Sequence, residues 1–417
     1  MDTLAIEVSY ALDTFYFLMC TAIVMLMAAG FAMLESGLVR SKNTVEILNK
    51  NVLLYSIACL VYFVVGYNIM YPADPVNSWI PGIDFFLGED NSTESVLAGG
   101  DGAPYYSAMA DFIFQAVFAA ATMSIVSGAV AERMRLWPFL VFAVFMVGFI
   151  YPVEGYWKWG GGFLDQLGFQ DFAGSVVVHL AGAAAALAAV IIIGPRKGKY
   201  GKNGEVHAIP GANLPMATLG MFILWFGWFG FNGGSELKIA NIEEANAVAK
   251  IFVNTNMAAA AGMVAASLLA RFLFGKTDLT MTISGALAGL VAITAEPLLP
   301  SPGLALIIGA VGGIVLVFSV IFLDKMQLDD PVGAISVHGT AGIWGIFAVM
   351  FSNPDATFAG QLIGTVVTFA WMFIASFIVL SIINKFAKLR VDEEEEMEGM
   401  DISECGMSAY PEFTSDK

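Results

Sequence analysis

Long runs of hydrophobic residues, separated by short polar segments, dominate the chain. A helix that crosses a bilayer needs about 20 mostly apolar residues. The runs predict spanning helices at approximately residues 11–34, 48–71, 108–130, 137–153, 173–194, 211–231, 250–273, 280–296, 303–323, 332–351 and 358–384. We therefore expect an all-α polytopic membrane protein with eleven transmembrane helices in a lipid bilayer.

Positive charge is distributed unequally between the segments that connect these helices. If the helices alternate in direction, sixteen of the 19 Lys and Arg residues fall on one side, and Lys158, Lys238 and Lys250 fall on the other. Because cytoplasmic loops carry an excess of Lys and Arg, we expect the N-terminus outside and the C-terminus inside. The first residues lack a basic segment, so we expect no cleaved signal peptide in this multi-pass protein of the plasma (prokaryotic cytoplasmic) membrane.

Composition excludes several classes of protein. Hydrophobic residues make up 58% of the chain and charged residues 13%, against about 45–50% and about 25% in soluble domains. A disordered chain, a basic nucleic-acid-binding protein and an ordinary cytosolic enzyme do not have this composition. No phosphate-binding loop and no convincing nucleophile–base set is present, so we expect no enzyme, no catalytic residues and no nucleic-acid partner.

Two of the three histidines lie in matching sequences inside apolar runs. Residues 171–179 (DFAGSVVVH) and 330–338 (DPVGAISVH) share Asp, Gly, Val and His at the same positions. The two sequences belong to the fifth and tenth predicted helices, so the repeat unit is five helices. An odd number of helices inverts the second copy, which is typical of transporter folds. We expect a five-plus-five inverted repeat followed by one extra helix.

His179 and His338 are each the only ionisable residue of their apolar run. Helical spacing brings both toward the middle of the bilayer from opposite faces. Ionisable residues at this depth mark substrate or proton paths, although two separate histidines bonded to neighbouring helices are the alternative. A metal site is a weaker interpretation, because no Cys or carboxylate accompanies them. Two neutral imidazoles suit a small, polar, proton-exchanging solute better than hydrated Na⁺ or K⁺.

Three aromatic clusters lie near the outer ends of predicted helices, at residues 114–118, 157–162 and 225–235. An aromatic face attracts a desolvated cation by roughly 0.5–2 kcal/mol, and apolar constrictions exclude hydrated ions. One interpretation is an outer aromatic cage above a dry pore. The other is the aromatic belt that membrane proteins carry at both interfaces.

Six segments of the chain resemble the ammonium transporter family (Amt/Mep, with the related Rhesus proteins). They are AGFAMLESGLVRSKN at 29–43, FQAVFAAATMSIVSGAVAER at 114–133, WGGGFL at 159–164, DFAGSVVVHLAGAAAALA at 171–188, WFGWFGFNGGS at 225–235 and DDPVGAISVHGTAGIWG at 329–345. The resemblance covers most of the membrane domain. It implies ammonium or ammonia as the substrate, with methylammonium as an analogue, and a homotrimer with one pore per subunit.

The resemblance also implies roles for individual residues, with no cofactor and no metal. Matching positions assign the pore histidines to His179 and His338. The other assignments are ammonium recruitment by Phe118, Trp159 and Ser235, a stacked phenyl gate of Phe118 and Phe231, and structural or vestibule positions at Asp171, Trp228 and Gln115.

An acidic segment follows the last predicted helix and carries about half of the formal net charge of −17. We expect a transmembrane domain at residues 1–386 and a cytoplasmic acidic regulatory tail at residues 387–417. Composition alone favours a solvated tail, whereas the resemblance implies a tail packed under the cytoplasmic face, where PII-type signalling proteins bind. Cys405 and Met400 replace residues that are frequent in the family, so the sequence leaves open whether a PII-type protein binds this tail.

Three functions remain open from the sequence. The first is a transporter or channel that captures ammonium, deprotonates it and conducts it past the histidines with net movement of charge. The second is an ammonium sensor or receptor that signals through the C-terminal tail. The third is a neutral facilitator of the Rhesus type, against which Trp159 and Ser235 argue.

Overall fold

The fold is known from a computed structural model that describes residues 3–100 and 102–413. Helices form nearly all regular structure in this part of the chain, and two isolated β-bridges join Met134 to Arg390 and Tyr200 to Val206. Nine of the described helices are long and apolar enough to cross a membrane, and two shorter apolar helices accompany them. The predicted all-α class is confirmed.

We number the apolar helices of the described residues in chain order. They are α1 (Thr3–Leu38), α2 (Ser41–Met70), α3 (Ala108–Ala129), α4 (Leu136–Gln166), α5 (Ser175–Ile193), α6 (Leu214–Gly234), α7 (Ile242–Phe274), α8 (Leu279–Thr294), α9 (Pro302–Lys325), α10 (Ile335–Phe351) and α11 (Phe358–Phe386). The shorter ones, α8 and α10, fall at the eighth and tenth predicted positions. Two tail helices, α12 (Glu393–Glu398) and α13 (Met400–Cys405), follow α11.

The fourth helix is longer than the hydrophobic pattern predicts. The prediction ends near residue 153, because Glu154 and Lys158 follow, but the helix continues to Lys158, and after a turn at 159–162 a short helical segment, Phe163–Gln166, completes α4. Glu154 is fully buried and accepts a hydrogen bond from the Thr368 hydroxyl of α11 at 3.2 Å. A polar residue with a buried partner does not end a helix, which explains the difference.

Both histidine-bearing helices begin with a π-helical turn, a feature that is rare and is frequent at functional sites. The turns are Ser175–Leu180 in α5 and Ile335–Thr340 in α10, and they contain His179 and His338. The π-helical turn thus occupies the same position in the two helices whose starting sequences match.

The two helix starts are built alike. The Asp171 carboxylate accepts hydrogen bonds from the backbone N–H groups of the first three residues of α5 at 2.8–2.9 Å. The Asp330 carboxylate accepts from Ala334 and Ile335 at 3.0 and 2.7 Å. Gly174 and Gly333, each three residues after its aspartate, have left-handed φ angles of 105° and 74°, which a side chain would strain.

We call the end of the bundle that carries α12 and α13 the tail-side face, and the end that carries the long loop 71–107 the loop-side face. Buried charges join helix ends at the tail-side face. Arg196 donates to both carboxylate oxygens of Asp329 at 2.8 and 2.9 Å and lies 3.2 Å from Glu132. Burial disfavours the charged form of Asp329, but the hydrogen bonds from Arg196 outweigh burial and hold its pKa at about 2.

The acidic tail packs against the tail-side face instead of being solvated along its length. The Asp401 carboxylate accepts from the backbone N–H of Glu46 at 2.9 Å, and the Asn43 side chain accepts from the backbone N–H of Met400 at 3.0 Å. Glu404 receives a hydrogen bond from Arg135 at 2.9 Å. These contacts fix α13 to the start of α2, and Met400 is fully buried.

Candidate functional site

A cavity of about 250 Å³ lies at the loop-side end of the bundle. Its walls come from α3, α4 and the loops that follow α2, α4 and α6, and are formed by Tyr71, Tyr106, Asp111, Phe114, Gln115, Phe118, Trp159, Phe172, Ser235 and Leu237. The three residues to which the family resemblance assigned recruitment, Phe118, Trp159 and Ser235, are therefore brought together in one place, with Gln115 beside them. We call this cavity the aromatic cavity.

Trp159 is held in the wall of the aromatic cavity by Asp171. Its indole N–H donates to the Asp171 backbone carbonyl at 3.2 Å, and its ring meets Phe118 edge-on with centroids 6.1 Å apart. The Asp171 side chain is 1% exposed, and its carboxylate accepts hydrogen bonds from backbone N–H groups at the start of α5. Burial raises the pKa of this carboxyl to about 6, against the lowering effect of three backbone N–H groups. Asp171 thus shapes the cavity without lining it.

Ser235 and Gln115 supply hydrogen-bond acceptors to the aromatic cavity. The Ser235 hydroxyl donates to the Phe231 carbonyl at 2.8 Å, which leaves its oxygen lone pairs free to accept hydrogen bonds. The side-chain oxygen of Gln115 is buried and has no hydrogen-bond partner within the described residues. Acceptors of this kind in an aromatic cavity suit a cation that carries N–H donors.

The rings of Phe118 and Phe231 stack at the floor of the aromatic cavity. Their centroids are 4.0 Å apart and their planes differ by 24°. Phe231 continues the stack to His179, at a centroid distance of 5.4 Å. The stacked rings therefore separate the aromatic cavity from the histidines.

His179 and His338 meet at the centre of the bundle. Their Nδ1 atoms lie 3.1 Å apart, and their ring centroids lie 5.1 Å apart. Both side chains are buried, and Nε2 of His179 has no hydrogen-bond partner among the described residues. Trp228 stacks on His179 at 5.1 Å and donates its indole N–H to the Thr294 hydroxyl at 2.8 Å. Trp228 thus lies beside the histidines and not in the aromatic cavity.

A second cavity, of about 330 Å³, lies on the tail side of the histidines. Leu38, Asp330, Val332 and Ser336 contribute to its wall. Ser336 precedes His338 by two residues and accepts a hydrogen bond from the Ser319 hydroxyl at 2.9 Å. The third histidine, His207, is exposed in a tail-side loop and lies outside this series of cavities and rings.

Sequence reasoning missed Asp111, which lines the aromatic cavity. One of its carboxylate oxygens accepts a hydrogen bond from the Tyr67 hydroxyl at 2.7 Å. Asp111 lies inside the third predicted apolar run, one helical turn before Gln115. The histidines stood out because ionisable residues are rare within predicted spanning helices, and the same criterion applied to this helix would have identified Asp111.

Comparison with known proteins identifies the family. A model of the Ammonium Transporter Family matches residues 15–410. The chain belongs to the ammonium transporter family. This identification confirms the resemblance seen in the sequence, and the family's members in this comparison are named as transporters rather than enzymes.

Relatives in this family cover the chain almost completely. Ammonium transporter Amt2 of Archaeoglobus fulgidus is 40% identical over 99% of this chain and 91% of its own length. An ammonium transporter of Bacillus subtilis is 35% identical over 95% of this chain and 98% of its own length.

Solved structures of the family share the fold. A structure described as a sensor Amt protein has a TM-score of 0.87 and 34% identity, and covers 97% of this chain and 100% of its own. The crystal structure of Candida albicans Mep2 has a TM-score of 0.82 and 28% identity, and covers 98% of this chain and 92% of its own. The protein is thus a multi-pass membrane protein of the ammonium transporter family.

Proposed function

We propose that this protein transports ammonium by separating it into ammonia and a proton. Ammonium is captured in the aromatic cavity by Phe118, Trp159 and Ser235, and loses its proton near the stacked Phe118 and Phe231 rings. Ammonia then passes His179 and His338 to the tail-side cavity. The proton passes to water and travels separately along water and the histidines, so that transport carries charge. The observation that carries the proposal is the stacked ring pair between the aromatic cavity and the histidines.

Capture as a cation follows from the chemistry of the aromatic cavity. The electron-rich faces of Trp and Phe attract a desolvated cation by roughly 0.5–2 kcal/mol. The Ser235 hydroxyl and the unpartnered Gln115 oxygen supply acceptors for N–H groups. Ammonium and methylammonium both carry such donors, whereas K⁺ carries none.

Passage as a neutral molecule follows from the apolar segment below. Rings whose centroids are 4.0 Å apart leave no room for an ion with its water shell. Removing that shell in an apolar environment is costly unless other ligands replace the water. Ammonia has no charge and loses little on entering the same segment. Exclusion of K⁺ is thus a consequence of the deprotonation step.

The histidine pair supplies a donor and an acceptor to the path. A hydrogen bond between two Nδ1 atoms needs one ring that donates and one that accepts. In the neutral pair, one Nε2 is then protonated and the other carries a lone pair. The pair can therefore hold ammonia at one nitrogen and pass a proton at the other.

We also propose the assembly and orientation that the family and the charge distribution support. The protein is a homotrimer in the plasma membrane, with its N-terminus outside, its tail in the cytoplasm and eleven membrane crossings. The transmembrane domain comprises residues 1–386 and the regulatory tail residues 387–417; α11 ends at Phe386. Native mass spectrometry of the purified protein in detergent tests the trimer.

The transport proposal is tested by current measurement on purified protein in liposomes fused to a solid-supported membrane. Ammonium pulses should give a saturable current, and equal K⁺ pulses should give none. An internal pH rise without current would indicate neutral ammonia conduction instead. Equal currents with ammonium and K⁺ would contradict the mechanism.

A sensor function is the second candidate, because the structural neighbour with a TM-score of 0.87 is described as a sensor Amt protein. The tail docked through Asp401 and Met400 offers a route by which the pore region reaches a cytoplasmic partner of the PII type. Ammonium binding without current or uptake would favour this candidate over transport.

A further inference from the structure

Glu35 in α1 is a buried carboxylate for which the proposed transport path has no role. Its side chain is 1% exposed. One carboxylate oxygen accepts from the Ser127 hydroxyl at 2.7 Å, and the other accepts from the Asn51 amide at 2.8 Å. Both partners are neutral, and Glu35 makes no ion pair with any residue that the structure describes. A carboxylate in this setting is expensive to maintain as a purely structural group.

The basic side chain next to Asn51 in the sequence already has partners. Lys50, adjacent to Asn51 in α2, pairs with Glu46 at 2.7 Å and donates to the Met134 carbonyl at 2.7 Å. Lys50 and Glu46 are both fully buried, so their charges balance each other. Glu35 is therefore left as the titratable group between that ion pair and the histidines.

A small cavity joins Glu35 to the histidine pair. It measures about 10 Å³, and Glu35, Ser124, Val332 and His338 all contribute to its wall. A buried water molecule needs roughly 10–15 Å³ of this measure and two to four polar partners. The carboxylate, the Ser124 hydroxyl and the His338 ring supply three. A single water molecule in this cavity would have the partners to bridge His338 and Glu35.

The same cavity adjoins the tail-side cavity. Val332 lines both of them, and α1 contributes Glu35 to the small cavity and Leu38, one helical turn later, to the large one. A proton on Glu35 is thus one side chain away from the space that the proposed path uses as its exit. The proton therefore does not need to travel along the apolar path that ammonia takes.

We propose that Glu35 is the proton exit group of the histidine pair. Once the proton released by ammonium has bound to the histidine pair, an N–H bond of the protonated His338 ring breaks and the ring becomes neutral. The bridging water takes up that proton and passes one on, and an O–H bond forms on the Glu35 carboxylate. Glu35 then releases the proton to the tail-side cavity and returns to its hydrogen bonds with Ser127 and Asn51. This inference rests on the proposed separation of ammonium into ammonia and a proton.

Glu35→Gln tests the relay, because glutamine keeps the size of the side chain but cannot take up and release a proton. Proton-transfer groups contribute roughly 10²–10⁴-fold to rates, so the ammonium current of this variant should fall by about a hundredfold. Glu35→Asp, which keeps the carboxylate, should recover most of the loss. Glu154→Gln, the loss of a buried carboxylate away from both cavities, is the matched control and should stay within about twofold of the unmodified protein.

A Glu35→Gln current equal to that of Glu154→Gln would overturn the proposal, as would failure of Glu35→Asp to recover current. Infrared difference spectroscopy gives a second measurement that does not depend on transport. Addition of ammonium should change the carboxyl stretching band, and the change should be absent from Glu35→Gln. If the unmodified protein gives no current, the transport proposal fails, and the spectrum alone decides the relay: an unchanged carboxyl band overturns it.

Discussion

His179 and His338 present their Nδ1 atoms to each other at 3.1 Å, so that each ring fixes the tautomer of the other. The two side chains come from helices that begin with the same aspartate cap, the same left-handed glycine and the same π-helical turn. This shared construction aims both rings at one point in the bundle. The contact therefore depends on the matching starts of both helices and not on either helix alone.

Replacement of both histidines should remove ammonium-specific transport. In His179→Ala/His338→Ala, the path loses its donor and acceptor, and a single transfer group contributes roughly 10²-fold or more to a proton-transfer step. We expect the ammonium current to fall by about that factor, or selectivity over K⁺ to be lost as water enters the path. Currents on the solid-supported membrane provide the measurement.

His207→Ala is the control for the histidine replacement, because His207 is exposed and its ring bonds to the Gly198 carbonyl at 2.9 Å. Its current should match that of the unmodified protein. An unchanged ammonium current and unchanged selectivity in the double variant would show that the histidines do not carry the transport step.

Replacement of Trp159 separates a cation site from an ordinary aromatic belt. A cation–π contact of roughly 0.5–2 kcal/mol corresponds to an increase of about two- to thirtyfold in the half-saturating ammonium concentration of Trp159→Ala. Trp137→Ala is the matched control, since Trp137 is 69% exposed at the tail-side start of α4. Equal effects of the two replacements on half-saturation would favour the belt.

The contact of the histidines could be predicted from the sequence, but its form could not. Ionisable residues in apolar runs are rare, and the equal spacing from Asp171 and Asp330 predicts that His179 and His338 approach each other. The π-helical turns and the Nδ1 contact depend on how α5 and α10 pack, which no local pattern encodes.

Asp111 lies inside an apolar run as the histidines do, and Glu35 directly follows one, yet the sequence offers no second copy that would draw attention to either. Their importance emerges only when distant helices bring Tyr67 to one and Ser127 to the other. The docked tail is a similar case. Its composition predicts a solvated segment, and only the resemblance to the family implies a packed one, because the contacts between α13 and the start of α2 join residues more than 350 positions apart.

Loss of the Asp329 carboxylate should destabilise the tail-side face. The pKa of Asp329 is about 2 in the folded protein against an ordinary 3.8, which corresponds to about 2 kcal/mol of stability at neutral pH. Because the folded pKa is depressed, this stability is present above about pH 4 and is lost as the pH falls toward 2. Asp329→Asn should therefore lower the Tm in detergent at pH 7, with a smaller difference at pH 3.

The control for Asp329→Asn is Asp165→Asn, which breaks the pair of Asp165 with Lys158 at the loop-side face. The Asp165 side chain is 47% exposed, and surface pairs contribute about 0–1 kcal/mol. Its Tm should change little at either pH. A Tm of Asp329→Asn that equals that of the unmodified protein at pH 7 would contradict the stabilising role of the buried pair with Arg196.

Release of the tail should be detectable without any assumption about its effect on transport. The Asp401 side chain caps the start of α2 through the Glu46 N–H, and Asn43 returns a hydrogen bond to Met400. Loss of such a cap costs about 1 kcal/mol, which speeds local opening by about fivefold. Hydrogen–deuterium exchange of Asp401→Ala should therefore rise in α13 and at the start of α2, and remain unchanged in α5.

Glu412→Gln, a change at an exposed tail residue, is the control and should leave exchange in α13 unaltered. If Asp401→Ala and Glu412→Gln exchange at the same rate in α13, the tail is not held by this contact, and its docking at the start of α2 must rest on other contacts, such as those of Asn43 with Met400 and of Arg135 with Glu404.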